Sequence, residues 1–204
     1  LLCCLFPEDY DIPIEYLVRY VVGQRLFAKI DTVAEARNRV HAMVKNLKRS
    51  FLLLDSDEGE QIVKMHDVVR DVAISIAENE GFLVRCKEKM EEWPEKDSCE
   101  RSTAISLASQ ELKRHPDVLD YPKLELLQLA FNSDTSQTLP PNLFKGMKGL
   151  KVLSLLGMSF PSLPQSINVL QNLRTLQFCG CEITDASAIG ELRKLEILSF
   201  LNSK

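Results

Sequence analysis

From residue 102 onward the apolar positions recur with a long period. Leu124-x-x-Leu127-x-Leu129-x-x-Asn132 is followed by Leu150-x-x-Leu153-x-Leu155, with Met158 at the asparagine position. Leu173-x-x-Leu176-x-Phe178-x-x-Cys181 and Leu195-x-x-Leu198-x-Phe200-x-x-Ser203 complete the series, in steps of 26, 23 and 22 residues. Ile105-x-Leu107-x-x-Gln110 stands 22 residues before the first unit and reads as a degenerate start. Residues two apart on a strand share a face, so pairs such as Leu127 and Leu129 point inward and successive coils stack into one core. The Asn or Cys position falls in the turn after the strand, where its side chain can satisfy backbone groups, Asn best and Cys weakly. Between strands, Leu163-Pro164-x-x-Ile167-x-x-Leu170-x-x-Leu173 has the spacing of a helical return path.

The unit and its period are those of a leucine-rich repeat, which predicts an α/β solenoid, a horseshoe, over 102–204. The residues between the inward leucines then line the concave face: Leu126, Gln128, Ala130; Val152, Ser154, Leu156; Thr175, Gln177, Cys179; Ile197, Ser199, Leu201. The set lacks charge and is rich in apolar groups, which marks an interaction surface for a protein or a neighbouring domain. Its position at the start of the repeats favours docking within the chain.

The first half has helical periods. Asp11-Ile12-Pro13 opens a helix with proline in its first turn and a stripe of Ile14, Leu17, Val18, Val21 and Val22. Thr32-x-x-Glu35 is a capping box ahead of a stripe of Val33, Val40, Val44 and Leu47. Phe51–Leu54 and residues 61–64 read as a hairpin across an acidic turn. Met65-His66-Asp67 leads into a third helix through Val69, Val72, Ala73 and Ile76. Helix, helix, hairpin, helix is the outline of a winged-helix unit, so the fold class is mixed α/β, a winged-helix module followed by a repeat solenoid. The domains are 1–84, a charged proline-bearing connection over 85–101, and 102–204. Leucines divide the same way, 10 before residue 102 and 21 after it.

Charge narrows the function. Residues 1–101 hold 15 basic and 20 acidic residues, net −5, and 102–204 hold 10 and 9, net +1. A winged helix that bound DNA would need a basic wing, but this hairpin carries Asp55, Asp57, Glu58 and Glu60, which repel phosphate. No C-x-x-C pair argues for zinc. Asp55-x-Asp57-x-Gly59 misses the calcium-loop glycine by one position and has His66 where glutamate is required. P-loop, dinucleotide, zinc-protease and nucleophile-elbow motifs are absent, and His41, His66 and His115 lie far apart without a catalytic partner set, so no enzyme is expected. The six cysteines and the absence of Asn-x-Ser/Thr fit reduced, mostly buried thiols. No apolar run is long enough to span a bilayer. The chain opens on Leu1 and closes at Lys204, each beside an apolar pattern, and is expected to be a fragment with truncated repeats.

Leu5-Phe6-Pro7-Glu8-Asp9-Tyr10, then Met65-His66-Asp67-Val68-Val69-Arg70-Asp71-Val72-Ala73, then leucine-rich repeats closely resemble, in that order, plant intracellular immune receptors of the nucleotide-binding, leucine-rich-repeat class, in their coiled-coil-headed branch. The resemblance implies an ADP/ATP-dependent switch in the cytoplasm, autoinhibited through the repeats. His66 would contact the ADP phosphate in the resting state, with Met65 packing beneath and Asp67 capping the helix it begins. The partners it implies are the receptor's own nucleotide-binding domain and a pathogen effector or guarded host protein. The P-loop and other nucleotide motifs of the family are not in these 204 residues, so the isolated chain is expected to bind nucleotide weakly or not at all. A repeat scaffold without nucleotide control is the alternative.

Overall fold

The first half builds its elements from short local signals. The computed structural model describes residues 1–30, 32–90, 92–94, 99–112, 116–131 and 139–203; Asn132, His115 and part of the charged stretch (Glu91, Glu95, Lys96 and Asp97) lie outside them. A 3-10 turn, Leu2–Leu5, precedes β1 (Ile12–Pro13), α1 (Ile14–Gln24), α2 (Val33–Arg49), β2 (Leu54–Asp55), β3 (Ile62–Lys64) and α3 (Asp67–Asn79). Pro13 is the residue before the first helical turn of α1, and Arg25 closes that helix in a left-handed conformation (φ 52°). The N-cap half of the capping box forms, with the Glu35 amide donating to Thr32 Oγ1 at 3.2 Å, and the Glu35 carboxylate accepts from the Thr32 hydroxyl at 3.1 Å. α2 buries Ala36, Val40 and Val44, whereas Val33 is exposed in the first turn.

The predicted strand over Phe51–Leu54 is shorter than its apolar run. The amides of Phe51, Leu52 and Leu53 donate back to the Lys48 and Leu47 carbonyls and close α2. Phe51 is left in a left-handed conformation and 81% exposed, and only Leu54 enters β2. Ile12 pairs with Val63, giving an antiparallel sheet in the order β1-β3-β2. α3 also departs from its expected stripe: Arg70 and Ala77 are buried, while Val72 and Ile76 are more than half exposed.

The second half is a parallel β-solenoid that fits leucine-rich repeats. Its strands are β4 (Phe82–Met90), β5 (Ala104–Leu112), β6 (Leu126–Phe131), β7 (Val152–Leu156), β9 (Thr175–Cys179) and β11 (Ile197–Leu201), in the order β11-β9-β7-β6-β5-β4. β8 (Ser159–Ser162) and β10 (Glu182–Asp185) pair in parallel on a second edge of the coils. The register follows the repeat: Ile105, Leu127, Leu153, Leu176 and Leu198 are successive partners. The return path expected to be helical is a 3-10 turn at Gln165–Val169, and another occupies Ser187–Glu191. Each turn is five residues long, too short for a stable α-helix.

The connection expected over 85–101 begins inside a strand. Residues 82–90 pair with β5 from Phe82↔Ala104 to Met90↔Leu112 and add a coil before the first legible repeat. Backbone pairing here overrides the charged side chains.

Candidate functional site

The concave face of the solenoid is not open to solvent along most of its length. Leu126, Gln128, Val152, Ser154 and Gln177 are fully buried and Leu156 is 7% exposed. The cover is the chain's own first half: Ala104, Leu126, Val152 and Leu156 share one apolar cluster with Phe6, Tyr16, Tyr20 and Val21. Thr175 of the same face is also buried. Ile197 and Ser199 are half-buried and Leu201 is exposed, so the cover ends at β11.

α1 makes this contact because it is apolar nearly all round. Leu17, Val21 and their neighbours face α2, and Tyr16, Tyr20 and Gly23 (i, i+4, i+7) face the sheet. Gly23 is the point of closest approach. A Cβ there would stand 2.5 Å from Val152 Cγ2 and 2.8 Å from Thr175 Oγ1. The sequence reading missed this second stripe, since tyrosine and glycine carry little weight in a count of aliphatic periodicity; the signal was the continuous run Tyr16–Gly23 with only Arg19 charged.

Buried polar groups at the interface are paired. The Tyr20 hydroxyl donates to Gln128 Oε1 at 2.5 Å. Gln128 Nε2 donates to the Leu5 carbonyl at 2.9 Å, and the Ser106 hydroxyl donates to the same carbonyl at 2.5 Å. Gln177 Nε2 donates to Ser154 Oγ at 2.9 Å, and the Thr175 hydroxyl donates to the Arg19 carbonyl at 3.1 Å. The Tyr16 hydroxyl reaches Cys179 Sγ at 2.7 Å. Burial, reinforced by the bond to Cys179, pushes the Tyr16 phenol far above its ordinary range, and burial does the same for Tyr20. Both therefore stay neutral donors. Phe6 stacks between Tyr10 and Tyr20, with centroids 5.4 and 6.0 Å away. At the rim Glu196 meets Arg25 at 2.9 Å and Arg174 at 2.5 Å.

A cavity of about 560 Å³ remains between the Phe6–Tyr10 segment and the far ends of the strands, with Ala108, Ala130, Leu156 and Cys179 on its floor and Cys86 at one end. All six cysteines are free thiols; Cys3, Cys4, Cys99 and Cys181 are buried. Cys181 fills the turn position as the spacing requires, donating to the Leu155 carbonyl at 3.2 Å.

His66, Met65 and Asp67 sit away from that face, at the start of α3. His66 is the N-cap, and its Nδ1 accepts from the Val68 amide at a long 3.4 Å. The cap is thus histidine and not Asp67, which is the first helical residue and exposed. With Nδ1 turned to the Val68 amide, the exposed imidazole can present Nε2–H as a donor beside a helix N-terminus. That donor set fits an anionic phosphate. Met65 is half-buried against the core of the first half. No helix among the described residues is long and apolar enough to cross a membrane.

No family model matches the chain. It is similar to the Arabidopsis thaliana probable disease resistance protein At4g27220, 34% identical over 187 residues covering 89% of this chain and 20% of that protein. Two further Arabidopsis thaliana proteins align as broadly. The probable disease resistance protein At1g61300 is 29% identical over all of this chain and 30% of its own length, and the disease resistance protein RPS5 is 31% identical over 85% of this chain and 20% of its own. The chain spans between a fifth and a third of the length of these relatives.

Proposed function

Given that the chain is a relative of plant disease resistance proteins along most of its length, we propose that it is the regulatory joint of an intracellular immune receptor. In this reading the first half is a winged-helix module and the repeats are docked on it in the resting state. The observation that carries the reading is the covered concave face: Gln128, Ser154 and Gln177 are fully buried and hydrogen-bonded beneath the chain's own α1 and Leu2–Leu5 turn. An interaction surface occupied from within is an autoinhibitory contact. The uncovered end, Ile197, Ser199 and Leu201, together with neighbouring repeats, serves recognition of an effector or a guarded host protein.

His66 is assigned to the phosphate of ADP supplied by a nucleotide-binding domain outside these residues. When bound, the nucleotide supplies a charge whose loss or replacement shifts the balance between two arrangements, in proportion to its differential affinity for them. His66 contributes an Nε2–H donor held by its Nδ1 contact to Val68. Asp67 favours the α3 N-terminus through the helix dipole and leaves the phosphate contact to His66. Met65 anchors the strand-to-helix turn in the core. The joint performs no chemistry of its own and works in the cytoplasm.

The test is expression of full-length Val152→Glu and His66→Ala variants in leaf tissue without pathogen. Val152 is fully buried against α1, so a carboxylate there forces the halves apart. Both variants are expected to signal constitutively, and His66→Ala to lose co-purifying ADP. A Val152→Glu receptor that accumulates normally, stays silent and keeps its repeats protected would defeat the docking reading. A nucleotide content unchanged by His66→Ala would leave a repeat scaffold without nucleotide control.

A further inference from the structure

Among the described residues Arg70 is the one charged residue that is buried. Among the residues whose side chains are described it has no carboxylate partner: Nε donates to the Phe6 carbonyl at 2.9 Å and one terminal nitrogen lies 3.4 Å from Cys86 Sγ. A buried guanidinium held only by neutral acceptors is costly. A buried polar group kept at such cost calls for an explanation.

Its surroundings supply one. Arg70 lies one turn into α3, and its amide donates to the His66 carbonyl at 2.9 Å, so the two residues move as one helical turn. Phe6, which its side chain grips, follows Leu5, whose carbonyl takes the buried Ser106 and Gln128 donors from β5 and β6. Gln128 in turn accepts from Tyr20 of α1. Two adjacent carbonyls of one irregular turn thus tie α3, two repeat strands and, through Gln128, α1. The Arg70 fork adds β4 through Cys86.

We infer that Arg70 is a positioning residue that couples the His66 end of α3 to the docked concave face. The inference rests on the switch reading above. A displacement of the first turn of α3 pulls Phe6 through Arg70. Because Leu5 is fixed by buried hydrogen bonds, that pull loads the repeat contact rather than dissipating in the loop. Lysine cannot replace the fork, since one ammonium cannot hold two diverging acceptors as a planar guanidinium does.

Hydrogen exchange on the full-length protein tests this in a double-mutant design. Peptides covering 67–79 report α3, and peptides covering 104–109 and 126–131 report the docked strands. His66→Ala is expected to speed exchange about fivefold or more in both sets, the size of an ordinary coupling free energy. In the Arg70→Lys background the α3 response is expected to persist and the strand response to fall below about twofold. Ser106→Ala, which attacks the same turn from the repeat side without touching α3, is expected to weaken the strand response alone, and it decides the matter where the Arg70 variant does not accumulate. Strand responses equal in all backgrounds overturn the inference and leave the switch reading standing. A His66→Ala protein with unchanged α3 exchange and full ADP content sinks the switch reading instead.

Discussion

Replacing Gly23 by alanine sets two magnitudes against each other. Alanine is the better helix former by about 1 kcal/mol in a helix interior, and Gly23 is the penultimate residue of α1, so that gain is an upper bound. Against it stands the added methyl, 2.5 Å from Val152 Cγ2 and 2.8 Å from Thr175 Oγ1, where apolar contacts settle near 3.5–4.0 Å. Val152 and Thr175 are fully buried and cannot swing into solvent. Overpacking of this kind costs about 1–3 kcal/mol. Moving Thr175 also breaks its hydroxyl bond to the Arg19 carbonyl, worth about 1 kcal/mol. The net effect is a loss of about 1–3 kcal/mol from the docked state, or about 5- to 150-fold in the docking equilibrium. Hydrogen exchange of peptides covering 152–156 and 175–179 reads it directly, with Gly190→Ala as control because nothing lies within 4 Å of a Cβ there. Faster exchange in Gly23→Ala and none in the control is the expected result. Equal or slower exchange in Gly23→Ala would mean that helix propensity wins and that α1 does not press on the sheet as described.

Three further outcomes follow from other contacts. Gly146→Ala is expected to destabilise the repeats by about 3 kcal/mol, more than Gly23→Ala, because its Cβ would meet backbone, Leu119 O at 2.4 Å and Asp120 Cα at 2.5 Å; denaturant titration of the two variants ranks them. Cys181→Ala should cost about 0.5–1.5 kcal/mol by removing the thiol's bond to the Leu155 carbonyl, whereas Cys181→Asn should hold or raise the melting temperature. For Glu196, burial raises the carboxyl but Arg25 and Arg174 outweigh it and hold it below the usual carboxylate range. A depressed folded-state value contributes stability above the unfolded value of about 4.3 that is lost as pH falls through the folded one. Protection at 175–179, corrected for the intrinsic exchange rate, should therefore fall on acidification below about pH 4 in the native protein, and Glu196→Gln should flatten that dependence.

The repeats were legible because their signal is redundant. Each coil repeats the same inward pair, and a sheet register that places Leu127, Leu153, Leu176 and Leu198 in line follows from period alone. The coil that was missed, 82–90, has no such pair in frame, and its charged residues Arg85, Lys87, Glu88 and Lys89 masked a strand that backbone pairing with β5 makes. The strand expected from Phe51 failed for a related reason: local composition pointed to extended chain, but closing α2 used those amides first. His66 at a helix start was visible because caps are local, although the capping atom proved to be its own Nδ1 and not the Asp67 carboxylate.

The docked interface was half visible. An uncharged concave face announces that something covers it, and Leu126, Val152 and Leu156 were readable in that role. What covers it could not be read, because Tyr16, Tyr20 and Gly23 acquire meaning only when a sheet lies against them. The polar members of the face carry the specificity. An apolar pair of surfaces could slide by a residue or a coil at little cost, whereas Gln128 is fully satisfied where Leu5 O and Tyr20 Oη meet it, and an orphaned buried amide costs about 1–3 kcal/mol. The Leu5 carbonyl is the acceptor these groups share: once Leu5 moves, the Ser106 hydroxyl and Gln128 Nε2 lose it together, and Gln128 keeps its 3.1 Å bond to Ser106 Oγ. In the proposed reading, release of that shared acceptor is the step that undocks the repeats.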